Sequence, residues 1–262
     1  MRFPWICVFL IMIMAGCAAE VLPPASQPID PAVLTPEAAH EAWARVLKSG
    51  VDWRGRVDFK KIALQPGDLY FYIAYVARNS PKNHPELFPT LEDRLAYYLN
   101  SYNALAMYGI ILSGFPTDFD GFWDRAGFFK FNKFVVGGEE ISLYDYENEV
   151  IRPLGDPRVH FALNCMTVSC PVLPRVPFEG KILHKQLNDV ARRFINNPGN
   201  VQPIEAGGII RLSEIFKFYE KDFVNPRTAP SLLAFINRYL DQKVPESLKV
   251  EFIPYDWAVN SS

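Results

Sequence analysis

Asp156-Pro157-Arg158-Val159-His160-Phe161-Ala162-Leu163-Asn164-Cys165-Met166-Thr167-Val168-Ser169-Cys170-Pro171 is the stretch on which the reading of this chain turns. The apolar run Val159 to Leu163 predicts a buried strand, which delivers His160, Cys165 and Cys170 to an irregular segment closed by Pro171. Reactive side chains at the end of a buried element are a common way to build a site. The whole chain has 4 histidines and 4 cysteines, so a thiol and an imidazole this close together need an explanation.

The other two cysteines lie at the N-terminus. Met1-Arg2 is a short basic start, and Trp5 to Met14 is an apolar run too short to span a bilayer, which takes about 20 residues. Met14-Ala15-Gly16-Cys17 resembles a bacterial lipoprotein signal in which Cys17 becomes the lipidated N-terminus. The alternative is a secreted soluble protein cleaved near Ala18 or Ala19. With Ala18 after the cysteine, the expected address in a Gram-negative host is the periplasmic face of the outer membrane. The expected organisation is a signal peptide over 1–17, a proline-rich tether over 18–40 and one globular domain over 41–262. Cys7 then leaves with the signal, so Cys165 and Cys170 are the thiols of the mature domain. In an oxidising compartment they either pair or one is kept reduced for chemistry.

At 262 residues, 49% hydrophobic and 21% charged, the chain is long enough for a sizeable core. Its formal net charge of −2 gives no basic excess for neutralising phosphates, so nucleic acid is excluded as an expected partner. A helix is expected from Thr35 as cap, with Ala39, Ala42, Trp43, Val46 and Leu47 on one face. Asp52 to Asp58 reads as loop and short strand, and Asp68 to Ala77 as a second helix. Thr90 and Asp93 resemble a capping box that opens the longest helix, buried on most sides. On it, Asn100 and Asn103 lie three apart; either they bond to nearby loop backbone or one orients a catalytic imidazole.

Phe128 to Val136 alternates, and Gly137-Gly138 then turns the chain into Glu139-Glu140-Ile141, which predicts a hairpin. Ser142 starts a helix that runs to Arg152. His184 to Asn196, Ser213 to Asp222 and Ser231 to Leu240 read as further helices, with strands at Ile209 to Leu212 and Val250 to Ile253. The predicted fold class is therefore α+β, a single mostly helical domain around a small, largely antiparallel sheet. A papain- or transglutaminase-like arrangement is one form of it.

Asn100-Ser101-Tyr102-Asn103-Ala104, His160-Phe161-Ala162-Leu163 with Cys165, and Ser169-Cys170-Pro171 resemble the motifs of the DUF547 family. So do Ser142-Leu143, Glu147-Asn148, Arg152, Leu212-Ser213, Phe218-Tyr219 with Asp222-Phe223, and Tyr255-Asp256-Trp257. The resemblance runs from about Trp43 to Asn260 and implies a fold boundary more than a reaction, since the family is uncharacterised.

The chemistry rests on the residues. As a nucleophile, Cys165 needs a neighbouring base, with His160 the first choice and Asn103 or Asn100 to fix its tautomer. His184 is a second candidate base, on a polar helix. On a continuous strand His160 and Cys165 point to opposite faces, so they meet only if the chain turns between Leu163 and Cys165, where Asn164 favours a turn. The expected activity is then a thiol-dependent hydrolase or acyltransferase acting on peptides or small amides. The competing expectation is a non-catalytic envelope lipoprotein in which Cys165 and Cys170 form a structural disulfide. No cofactor is expected, and no second ligand cluster completes a zinc site around His160, Cys165 and Cys170. Asp156 with Arg158, and Glu147 with Arg152, are expected to form ion pairs.

Overall fold

The computed structural model describes residues 20–21, 29–204 and 207–262. The signal peptide and Cys17 lie outside the described residues. The first helix, α1 (Pro36–Gly50), is capped by Thr35, whose hydroxyl accepts from the Ala38 N–H at 3.2 Å. Residues 36–40, counted with the tether in the sequence reading, are its first turns, and Ala39 is fully buried there. A short helix not foreseen in the sequence, α2 (Phe59–Leu64), is capped by Asp58, and α3 (Gly67–Arg78) follows.

The scaffold is α4 (Leu91–Leu112). Its capping box forms as expected, with Thr90 Oγ1 accepting from the Asp93 N–H and Asp93 Oδ2 accepting from the Thr90 N–H. Residues from Leu95 to Ile110 are almost all buried, so this helix is the centre of the main core and not an amphipathic edge. Trp43 and Tyr72 stack against each other in that core at 5.4 Å.

The described strands form two small mixed sheets where the sequence predicted one largely antiparallel sheet. In the first, β1 (Glu20–Val21) runs parallel to β2 (Lys133–Val136), and β2 pairs antiparallel with β3 (Glu139–Ile141). Gly137 and Gly138 both have positive φ, 58° and 84°, which is the turn the hairpin needs. Phe128 to Phe131, expected in that strand, belong instead to a helical stretch made of α5 (Phe122–Arg125) and the π turn Ala126–Phe131. In the second sheet β4 (Val201–Ile204) pairs antiparallel with β5 (Ile209–Ser213), and β5 runs parallel to β6 (Lys249–Ile253).

The helix opened by Ser142 starts as α6 (Leu143–Asp145) and widens into a π turn over Tyr146–Ile151. A 3-10 turn, Arg152–Leu154, then ends at Gly155 in the left-handed region. Further on come α7 (Leu183–Ile195), α8 (Ile215–Phe218), α9 (Glu220–Phe223) and α10 (Leu232–Ile236). Ser213 was expected to cap one helix through Asp222. The structure has two short ones there, and the residue at the cap position of α8 is Glu214.

The central stretch is not a strand. Pro157–Phe161 is a 3-10 helix, started by Asp156, whose carboxylate accepts from the Arg158 N–H at 2.9 Å. Proline at its first position and the aspartate cap favour a helical turn over extension. This turn joins the two cores. Val159 and Ala162 belong to the α4 core, whereas Phe161 enters a second, aromatic core with Phe194, Phe216, Phe223 and Phe235. His160 therefore lies at the seam, only 3% exposed.

Candidate functional site

A bend does follow the helix, but at Met166, past Cys165, rather than between Leu163 and Cys165 as the sequence reading required. Met166 has a φ of +65°, and Asn164 holds the bend with both ends of its amide. Its Oδ1 accepts from the Met166 N–H at 2.7 Å and its Nδ2 donates to the Pro171 carbonyl at 2.6 Å. The strand parity argument thus gives way to a helical turn and a tight bend, which together bring His160 and Cys165 to the wall of one cavity of about 550 Å³.

The two α4 amides clamp backbone. Asn103 Nδ2 donates to the Ala162 carbonyl at 3.0 Å, and its Oδ1 accepts from the Asn164 N–H at 2.8 Å. Asn100 does the same for Phe178, at 2.8 and 2.9 Å, and also accepts from Trp43 Nε1. Both side chains spend their hydrogen-bonding capacity on the loops that carry the site, so neither orients the imidazole.

The partner of His160 is Asp222. His160 Nε2 and Asp222 Oδ2 are 2.7 Å apart, and the same carboxylate takes a forked interaction from Arg152 at 2.7 and 3.1 Å. A carboxylate only accepts, so Nε2 carries the hydrogen and donates it to Asp222. Tyr219 stacks on the imidazole with ring centroids 3.8 Å apart, and the Arg152 guanidinium carbon lies 5.2 Å from the Tyr219 ring centroid. Burial raises the Asp222 carboxyl, but hydrogen bonds and charge from His160 and Arg152 outweigh it and hold the group well below the usual carboxylate range.

His160 Nδ1 is buried without a hydrogen-bond partner, and the nearest acidic oxygen, Glu147 Oε1, is 4.0 Å away. Glu147 was expected to pair with Arg152; Arg152 instead holds Asp222 and Asn148, and Glu147 accepts from the Tyr102 hydroxyl at 3.3 Å. Burial, followed by the nearby Glu147 charge, pushes the Tyr102 and Tyr219 phenols well above their ordinary range, so both stay neutral donors. The other expected pair, Asp156 with Arg158, forms at 2.5 Å.

Cys165 and Cys170 are joined by a disulfide, with their Cα atoms 6.2 Å apart. Around it, Tyr255 Oη lies 3.1 Å from Cys165 Sγ and 3.2 Å from Cys170 Sγ, and Thr167 Oγ1 lies 3.2 Å from Cys165 Sγ. The sulfur's polar neighbours are thus two neutral hydroxyls, and none of its hydrogen bonds is to His160. The chain after β6 makes this arrangement: Val168 N–H donates to the Ala258 carbonyl and Asn260 N–H to Met166, which places Tyr255 over the bend. His184 lies elsewhere, exposed on α7 between Arg158 and Glu92.

Asp222, Tyr219 and Tyr255 stood in the sequence only as pieces of a family pattern, without assigned roles. No periodicity could have joined Asp222 to His160 across 62 residues.

Residues 89–195 match the sequence family described as "Protein of unknown function, DUF547". The match contains His160, Cys165, Cys170, Glu147 and both α4 asparagines, while Asp222, Tyr219 and Tyr255 lie beyond it. No curated protein and no solved structure matches the chain.

Proposed function

We propose that this chain is an envelope lipoprotein that binds a small polar ligand in the cavity beside His160, with the Cys165–Cys170 disulfide clamping the cavity wall. The observation that carries the reading is the state of the sulfur. Cys165 is covalently paired, and its remaining contacts are the hydroxyls of Thr167 and Tyr255, which do not generate a thiolate. A cavity of about 550 Å³ with aromatic walls and a few convergent polar groups has the size and make-up of a small-molecule site. Lipidation at Cys17 supplies the membrane attachment. Among the described residues no helix is long and apolar enough to cross a membrane.

The test is thermal unfolding of the disulfide-intact protein against a panel of small peptides, amides and sugars, with recovery of any stabilising compound. Binding predicts a raised Tm and a compound returned unchanged. A compound that comes back cleaved, or a panel that never shifts Tm, contradicts it.

A second reading is favoured by one observation, the free Nδ1 of an imidazole oriented by Asp222 in the same cavity as Cys165. After two-electron reduction of the disulfide by an external dithiol, Cys165 could attack an amide carbonyl, forming an acyl-thioester and releasing the amine. Cleavage by the reduced protein alone, abolished in Cys165→Ser, would favour this reading.

A further inference from the structure

The cavity mouth is ringed by exposed aromatics. Phe122, Tyr144 and Phe218 all line the cavity, yet each is exposed to solvent. Trp123, 73% exposed, sits edge-on to Phe122 with ring centroids 5.2 Å apart. Large apolar side chains scattered singly over a surface need no explanation, but a group of them around one opening marks a contact surface.

The path of the chain says what covers it. β1 pairs Glu20 with Lys133 and Val21 with Phe134. Lys133 in turn holds Asp145, the chain neighbour of Tyr144, at 3.0 Å. Cys17 comes three residues before Glu20, and three residues of chain reach at most about 11 Å. β1 thus pins the start of the 18–40 spacer to the domain, and a lipid on Cys17 enters the bilayer beside this rim. The rim has the composition of a membrane-interface contact, since Trp and Tyr rings favour the headgroup layer. Its charges are mixed. Exposed Asp118, Asp120 and Asp124 share the stretch with Arg125 and with Lys130, which lies over the Tyr144 ring at 5.2 Å. That mixture suits zwitterionic headgroups and gives no strong attraction to an anionic surface.

We infer that the rim of Phe122, Trp123, Tyr144 and Phe218 rests in the headgroup layer of the membrane that holds the Cys17 lipid, so that the cavity opens onto that layer. This rests on the lipid-anchor part of the proposed function. The acyl chains retain the protein and the rim orients it, two membrane signals acting together. The test is tryptophan fluorescence of the mature lipidated protein in phosphatidylcholine vesicles with bromine-labelled acyl chains, which quench a ring that reaches them. Trp123→Phe is expected to lose most of the quenched signal. Trp53→Phe, at a comparably exposed ring that lines no part of the cavity, is expected to keep it. Phe122→Ser with Phe218→Ser leaves every tryptophan in place and is expected to weaken the quenching. Anchored protein with Trp123 unquenched, or quenching that survives Trp123→Phe, overturns the inference alone and leaves the anchor in place. Absence of fatty acid at Cys17 overturns the anchor and this inference with it. Sedimentation of the Cys17→Ser chain covers the remaining occupant: a dimer dispersed by Trp123→Ser would assign the rim to a second copy and overturn the membrane contact.

Discussion

His160 Nε2 and Asp222 Oδ2 meet at 2.7 Å across 62 residues, and this contact joins the α4 core to the aromatic core. It also orients the ring so that Nδ1 faces Glu147 Oε1, 4.0 Å away. Replacing Asp222 by Asn leaves Arg152 and a buried ring short of a charged acceptor, and about 2 kcal/mol of stability at pH 7 is expected to go. The folded carboxyl is held below its ordinary value of 3.8, so its stabilisation is complete above that pH and is lost as pH falls. Urea unfolding of wild type and Asp222→Asn should therefore diverge at pH 7 and converge progressively below about pH 4. A difference that does not change with pH would contradict the assignment.

Asn103 bonds the Ala162 carbonyl and the Asn164 N–H, both in the buried loop that carries the disulfide. Asn103→Ala strands these two backbone groups and is expected to cost about 3 kcal/mol. The matched check is hydrogen exchange, in which the Asn164 amide should lose protection ahead of the α4 amides. An unchanged Tm would refute the clamp.

The disulfide closes a short loop, so its effect on the unfolded chain is modest. Cys165→Ser with Cys170→Ser is expected to lower stability by about 2 kcal/mol, measured by chemical unfolding at neutral pH. A loss well under 0.5 kcal/mol would make the bridge irrelevant to the cavity wall.

Cys17→Ser should move the protein from the membrane to the soluble fraction of the cell envelope and abolish incorporation of labelled fatty acid. Continued membrane pelleting of this variant would rule out the lipid anchor.

Local rules exposed much of the fold. The Thr35 and Thr90 caps, the apolar saturation of α4 and the two glycines of the hairpin each act within a few residues, and each formed where its pattern predicted. Val159 to Leu163 misled because a fully buried segment has no polar face to reveal its period; Asp156 and Pro157, which start a helical turn, were the better signal. The hairpin strand was overextended for a similar reason, since Phe128 and Phe129 pack as a π turn against Phe119. At the site, Cys165, Cys170 and His160 were legible from rarity and proximity. Asp222, Tyr219 and Tyr255 were not, because their roles arise only when α9 and the segment after β6 fold back over the 156–171 stretch.

The state of Cys165 in the native protein tests the central claim most directly. The protein should be isolated without reductant, with iodoacetamide present throughout, then digested and mapped by mass spectrometry. The account predicts one linked peptide pair containing Cys165 and Cys170 and no alkylation at either residue. Quantitative alkylation of Cys165 in the folded protein would contradict it and restore a free nucleophile to the cavity.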